Sequence, residues 1–404
     1  MGVKNIVNIL EENGYKSVLL VISAMGKMTN ALEIVIDNYV EKDKGLVARV
    51  DAIKTFHISI IKDLFGESRH KAFEQVEALF QDLESFLETN TSNDRSYIYD
   101  QIICFGELLS TTIVSEYLRE KGIKNNWVDA KTIIRTDSNF RDASVNWKQT
   151  ETLIKKNINT SVLNITQGFI GSDSKGNATT LGREGSDFSA GIIASCLGAE
   201  SVTIWKDVPG VLNADPRYFK KTKLLKEIPY EEAIELAFYG ASIIHPKTLK
   251  PLKNKDIPLF VRSFLNPKEK GTSISNYRSI KPVLPCYILK KKQLLISLST
   301  LDYSFIIEDN ISEVFGLLHK YQFKVDMMQN SAISFSICID NKFDNLEKLV
   351  ESLEEKFKVV CYKNVNLYTI RHARGRNIKM IEKGQKVLLK QRLESTAQLI
   401  MMAD

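Results

Sequence analysis

Thr179-Thr180-Leu181-Gly182-Arg183-Glu184-Gly185-Ser186-Asp187-Phe188-Ser189-Ala190 is the most informative stretch of this 404-residue chain. It lies between a turn, Ser174-Lys175-Gly176-Asn177, and an apolar helix predicted over 187–197. Two glycines flank an arginine, and a Ser-Asp pair stands where the helix begins. Free N–H groups at a helix N-terminus attract anions, and glycine lets a carboxylate or phosphate approach the backbone. Arg183 offers a planar fork for a carboxylate. Asp187 can align a reacting group or accept its proton. The competing reading makes Ser186 or Asp187 a plain N-cap; the adjoining Gly-Arg weighs against it.

Working outward, strand patterns at 161–165 and 202–205 bracket that helix, and 127–128 and 132–134 read as further strands. Alternation of strand and helix implies a doubly wound α/β sheet. Upstream, apolar residues recur at three- and four-residue steps through Phe73, Val76, Leu79 and Phe80, so 31–120 reads as mostly helical. The chain opens with Val3, Ile6, Val7 and Leu10 at helical spacing, Asn13-Gly14 as a stop, and a continuous apolar strand at 16–21. A helix in that position normally follows a strand, so a first strand upstream of Met1 is expected, with an N-terminal helix docking alone as the alternative. Pro267, Gly271, Pro282 and Pro285 mark 264–285 as a linker. Beyond it, strands at 294–299, 332–339, 359–361 and 367–370 and helices at 313–321 and 346–357 form a smaller α+β region.

Three further segments carry polar groups at strand or helix ends. Ser23-Ala24-Met25-Gly26-Lys27-Met28-Thr29-Asn30 follows the 16–21 strand, at the carboxyl end where open α/β sheets bind ligands. Gly106-Glu107-Leu108-Leu109-Ser110-Thr111 opens a helix, where Glu107 also suits a plain first-turn charge. In 204–217 a strand runs into the loop Lys206-Asp207-Val208-Pro209-Gly210, which ends on Asp215-Pro216-Arg217. Such a loop can surround a nucleotide, although Asp-Pro is equally turn chemistry.

Composition narrows the class. With 44% hydrophobic and 26% charged residues the chain is globular, and no apolar run approaches the ~20 residues of a membrane span. A net charge of +6, from 55 basic and 49 acidic residues, is too thin for a nucleic-acid binder. Five scattered cysteines without a CxxC pair imply reduced thiols and a cytoplasmic protein, with neither a disulfide frame nor a zinc site.

Taken together, these segments resemble the aspartokinases, members of the amino acid kinase family. Gly168-Phe169-Ile170-Gly171, Tyr239-Gly240-Ala241 with His245-Pro246, and Asn266-Pro267 with Gly271-Thr272 fall in the family's order. Residues 294–400 resemble its paired ACT domains, which are ferredoxin-like, especially at Val325-Asp326-Met327-Met328-Gln329-Asn330-Ser331. The resemblance implies a catalytic domain over 1–275, a linker over 276–293 and tandem or interleaved ACT domains over 294–404. It implies transfer of the ATP γ-phosphoryl group to the side chain of L-aspartate, with Mg2+, as the first step towards lysine, threonine and methionine.

Carried over by position, Ser23, Thr29, Glu107, Arg183 and Ser186 would hold aspartate, with Arg183 on the α-carboxylate and Glu107 at the α-amino group. Asp187 and Arg183 are the catalytic candidates, and Lys206, Asp207, Gly210 and Arg217 the nucleotide residues. Ile311, Asp326, Asn330 and Ser331 are the effector candidates. Free N–H groups near Ile311 would take a carboxylate and Asp326 an ammonium, which favours lysine over threonine as effector. ACT units usually pair between chains, so a homodimer or larger homo-oligomer is expected.

Five features depart from the family pattern. The Lys-Phe-Gly-Gly strand, whose lysine neutralises the transferring phosphate, does not occur in the chain, and impaired turnover is expected on that ground. Lys206 replaces a Thr or Ser, Leu212 a Tyr, and Ser242 a Lys. Glu184 replaces a Gly and is expected to face away from the ligand. A second reading is therefore an inactive amino-acid-sensing subunit of the same family. A third, a glutamate kinase, fits the ACT region and the Trp205-Lys206-Asp207 loop poorly.

Overall fold

The structure, a computed structural model, describes residues 2–66, 70–241, 244–302, 304–340 and 345–403. These divide into one unit of Met1–Pro209 with Ile244–Asn276 and a second of Gly210–Ile243 with Tyr277–Asp404.

In the first unit the strand Leu163–Gln167 lies between Leu19–Ile22 and Asn125–Val128, all parallel. All its residues are buried, as a continuous run covered on both faces requires. The opening helix, Gly2–Asn13, drives Val3, Val7 and Leu10 into a core with Val114, Leu118, Leu163 and Ile165. Gly14, at φ +81°, then turns the chain in a conformation that favours glycine. The helices Met28–Glu41, Leu46–Phe65, Lys71–Thr89 and Arg95–Ile103 build a separate core around Leu32, Ile53, Val76, Phe80 and Ile102. Further parallel strands, Val202–Lys206 and Leu259–Ser263, form a distinct hydrogen-bonded set with antiparallel Thr272–Ser275.

The expected strand at 132–134 is instead the end of the short helix Ala130–Ile133. The Asp129 carboxylate accepts from Lys131 N at 2.9 Å, and this cap outweighs the β-branched preference of Thr132 and Ile133. The expected linkers are also replaced. Thr272–Ser275 is a strand, and Cys286–Thr300 runs through the end of 276–293.

The second unit is built on a sheet of six antiparallel strands. In spatial order they are Val325–Asn330, Ser334–Ile339, Cys286–Thr300, Phe357–Arg371, Thr396–Met402 and Val387–Leu393. The two 15-residue strands at the centre each serve two halves. Their outer parts, 294–300 and 357–362, combine with Glu308–Lys320 and Leu346–Glu354 around Ile296, Leu318, Ile337 and Leu349. Their inner parts, 286–290 and 367–371, combine with Gly375–Glu382 around Ile370, Ile378 and Leu399. The outer half is thus a βαββαβ unit, and the inner half, with one helix, interleaves with it through the shared strands. Gly210–Ile243, expected to belong with the first 275 residues, belongs to this unit by its contacts: Arg371 donates to the Glu232 carboxylate at 2.7 and 3.2 Å. Among the described residues no helix is long and apolar enough to cross a membrane.

Candidate active site

The helix Gly185–Leu197 sets the geometry of the site. It starts at Glu184, whose left-handed φ of +54° points the first turn at the strand end beyond Gln167. A Cβ on Gly168 would stand 2.5 Å from Ser186 Cβ, so only glycine allows the two segments to meet. Phe169 N donates to Ser189 Oγ at 2.9 Å and locks the contact.

Around that helix end, Ser23, Thr29, Glu107, Arg183, Ser186, Asp187 and Lys206 line one cavity of about 480 Å³. Seven residues singled out from sequence thus converge. Neither Ser186 nor Asp187 is the N-cap. Asp187 sits in the first turn, with Oδ2 3.0 Å from Lys206 Nζ at the end of Val202–Lys206. Asp207 follows in the turn and is not part of the lining. Gly210 and Arg217 belong to the second unit, where the Arg217 guanidinium is bound to Asp215 at 2.6 Å. Ser242 lies outside the described residues.

Glu107 is 4% exposed at the head of Phe105–Glu120. Burial pushes its carboxyl up to about 7, against the lowering effect of the hydrogen bond from Ala24 N at 3.2 Å. Its helix is pinned to the central strand, since Gln167 Nε2 donates to Thr111 Oγ1 at 2.7 Å. Glu184 does not face away: it lines the cavity, and burial raises its pKa although Lys206 opposes the shift.

Tyr99, Arg141 and Phe169 also line the cavity and were not among the sequence-derived site residues. Tyr99 comes from Arg95–Ile103 and Arg141 from an irregular loop, neither of which carries a recognisable motif. The one available signal was Phe169, which stands beside Gly168 at the strand end.

In the second unit, Ile311 N already donates to Ile307 O at 3.2 Å, so it is not a free donor for an effector. Asp326 lies in the edge strand with its side chain 7% exposed, and Lys290 Nζ is 2.7 Å from its Oδ1. Asn330 ends that strand, and Ser331 Oγ is 2.6 Å from Ser334 Oγ.

Residues 2–263 match the model of the amino acid kinase family. The chain is 32% identical over 326 residues to the lysine-sensitive aspartokinase 3 of Escherichia coli (strain K12), covering 80% of this chain and 71% of that protein. With aspartokinase 1, chloroplastic, of Arabidopsis thaliana it shares 30% identity over 362 residues, covering 84% of this chain and 62% of that one. It also superposes on a crystal structure of E. coli aspartokinase III in complex with aspartate and ADP (R-state). The TM-score is 0.83 at 28% identity, over 99% of this chain and 92% of that one. The corresponding complex with lysine and aspartate (T-state) gives 0.78 at 28% identity and the same coverage. The chain therefore belongs to the amino acid kinase family, within its aspartokinase branch.

Proposed function

We propose that this chain is an aspartate kinase acting on L-aspartate and ATP to give 4-phospho-L-aspartate and ADP, the first step towards lysine, threonine and methionine. The observation that carries the proposal is the convergence of buried Glu107, the Arg183 guanidinium and the Asp187–Lys206 pair on one cavity. An α-amino acid needs an acid for its ammonium and a fork for its carboxylate, which Glu107 and Arg183 supply. A side-chain carboxylate oxygen then attacks the γ-phosphorus and ADP leaves, a reaction that asks mainly for positioning and charge neutralisation. The N-terminus of Gly185–Leu197 and the Lys206 ammonium put positive charge beside the reacting groups.

The donor set fits a Mg2+ carried mainly by nucleotide phosphates and water. Among the described residues no cluster of three or more His, Cys, Asp or Glu side chains is placed to hold a metal, and Asp187 is the carboxylate at the helix head. When bound, Mg2+ supplies charge neutralisation between phosphate oxygens. The second unit is read as the regulatory half, binding lysine in preference to threonine where such units pair between two chains.

The test is ADP release by the full chain with ATP, Mg2+ and L-aspartate, against L-glutamate and L-asparagine, alongside calorimetric aspartate binding. Aspartate-dependent turnover supports the reading. Aspartate binding with no turnover favours the sensing subunit, and preference for glutamate sinks the proposal.

A further inference from the structure

Among the cavity-lining residues, three that are not glycine hold a left-handed backbone: Arg141 at φ +73°, Phe169 at +68° and Glu184 at +54°. Such conformations cost free energy and persist where the surroundings impose them, commonly at functional sites. For Phe169 and Glu184 the cause is visible, since both shape the head of the Gly185–Leu197 helix. Arg141 has no such task.

What imposes the Arg141 conformation is Asp100, a fully buried carboxylate. Its oxygens accept from Arg141 N at 3.0 and 3.2 Å and from Thr180 N and Thr180 Oγ1, each at 2.8 Å. One buried acid thus ties the Arg141 loop to the strand that leads into Gly182-Arg183. The side chain is then fixed from the other end, with the guanidinium 4.3 Å from the centre of the Tyr99 ring. Tyr99 is itself anchored, its hydroxyl donating to Glu33 at 3.1 Å. Among the described residues no carboxylate pairs with the Arg141 guanidinium, so its hydrogen-bonding edge is uncommitted.

We propose that Arg141 is a second carboxylate-binding residue of the acceptor site and selects for a dicarboxylic amino acid. The inference rests on the aspartate kinase reading above and deepens it. An amino acid with two carboxylates and one ammonium matches two guanidinium groups and one buried acid. Arg183 takes the α-carboxylate, Glu107 the ammonium and Arg141 the side-chain carboxylate. A guanidinium on that carboxylate holds it in place and screens its repulsion from an approaching phosphate.

Arg141→Gly is the decisive variant, because glycine accepts φ +73° without strain and keeps the N–H that Asp100 binds. Calorimetry on the full chain should show L-aspartate affinity falling about tenfold or more while ATP affinity and Tm stay unchanged. The preference for aspartate over asparagine should shrink in the same variant, which a purely structural role would not cause. Arg141→Lys, keeping charge but not the fork, should fall between the two. Unchanged aspartate affinity in Arg141→Gly overturns the inference and leaves the kinase reading intact, as does a loss of ATP affinity instead. Absence of aspartate binding to the unaltered chain overturns both.

Discussion

Lys206 Nζ stands 3.0 Å from Asp187 Oδ2 at the head of the Gly185–Leu197 helix, and both side chains are mostly shielded from water. The pair joins the end of one strand to the first turn of a helix from the neighbouring part of the fold. In the proposed reaction, the acid orients the acceptor side while the ammonium faces phosphate charge. Asp187→Asn should therefore lower kcat by about a hundredfold with little change in KM. Lys206→Met should raise the KM for ATP as well. Because the two groups touch, a double-mutant cycle should give a coupling of about 1 kcal/mol or more. Steady-state kinetics on the single and double variants measure this, and additive effects would break the assigned link.

Arg183→Ala should act differently. A lost carboxylate fork weakens the ground-state complex, so the KM for aspartate should rise by about tenfold or more while kcat changes less. If Arg183→Ala and Asp187→Asn both altered only Tm, their roles would be confined to holding the helix end.

Glu107 carries a pH signature of a known sign. Its carboxyl titrates near 4.5 in an unfolded chain and at about 7 when folded, because burial disfavours the charge. Between those values the folded state holds more protons than the unfolded one, so stability falls as pH rises from 4.5 to 7. The cost is about 3 kcal/mol once pH exceeds 7. Glu107→Gln should accordingly raise Tm at pH 8 and leave it nearly unchanged at pH 4.5, while abolishing recognition of the substrate ammonium. In the unaltered protein aspartate affinity should increase about tenfold from pH 6 to pH 8 as the carboxylate forms. A flat affinity profile would contradict the ammonium role.

The parts of this arrangement legible in sequence were those with a local cause. Gly168 and Gly182 announce close backbone approaches and the strand pattern at 161–165 overlaps the central strand Leu163–Gln167, and the cavity residues quoted around that region do converge. Arg141 and Tyr99 were not legible, because Asp100 brings them to the site through bonds to Thr180, 80 residues away in sequence. Glu184 resembles a surface acid in sequence; its left-handed backbone turns it inward. Of the two 15-residue central strands, the first was legible only over 294–299, its earlier part being assigned to a linker, and the second only as 359–361 and 367–370, because Lys290-Lys291-Lys292 and Lys363-Asn364 interrupt their apolar alternation. The ladder is irregular there, with register shifts about Gln293 and positive φ at Lys292 and Asn364.

Within the second unit a buried ion pair, Glu232 with Arg371, joins the helix Tyr230–Tyr239 to the end of the strand Phe357–Arg371, which gives an acid-stability prediction. Burial alone would raise the Glu232 carboxyl, but hydrogen bonds and charge from His372 and Arg371 hold it at about 2. The stability this adds is full above the ordinary value of 4.5 and is lost as pH falls towards 2. Arg371→Ala leaves a buried carboxylate uncompensated and should cost about 3 kcal/mol at pH 7, with a much smaller difference from the unaltered chain near pH 2. Urea unfolding at several pH values measures it. An equal difference at all pH values would assign the effect to packing.

The proposed control by lysine would turn on Asp326, which is nearly buried and already holds the Lys290 ammonium at 2.7 Å. An effector lysine that uses this acid has to displace an ammonium of the same chemistry, so its affinity is reduced by internal competition. Lys290→Met removes the competitor but strands a buried carboxylate, which should lower Tm. Added L-lysine should then restore Tm, because a ligand that binds only the folded state stabilises it in proportion to ln(1 + [L]/Kd). Calorimetry on the full chain should show lysine binding at least about tenfold tighter in Lys290→Met than in the unaltered protein, and lost in Asp326→Ala. Threonine, with no side-chain ammonium, should gain nothing from Lys290→Met. Lysine affinity unchanged by either substitution would place the effector elsewhere and leave Lys290–Asp326 as an internal strut of the sheet.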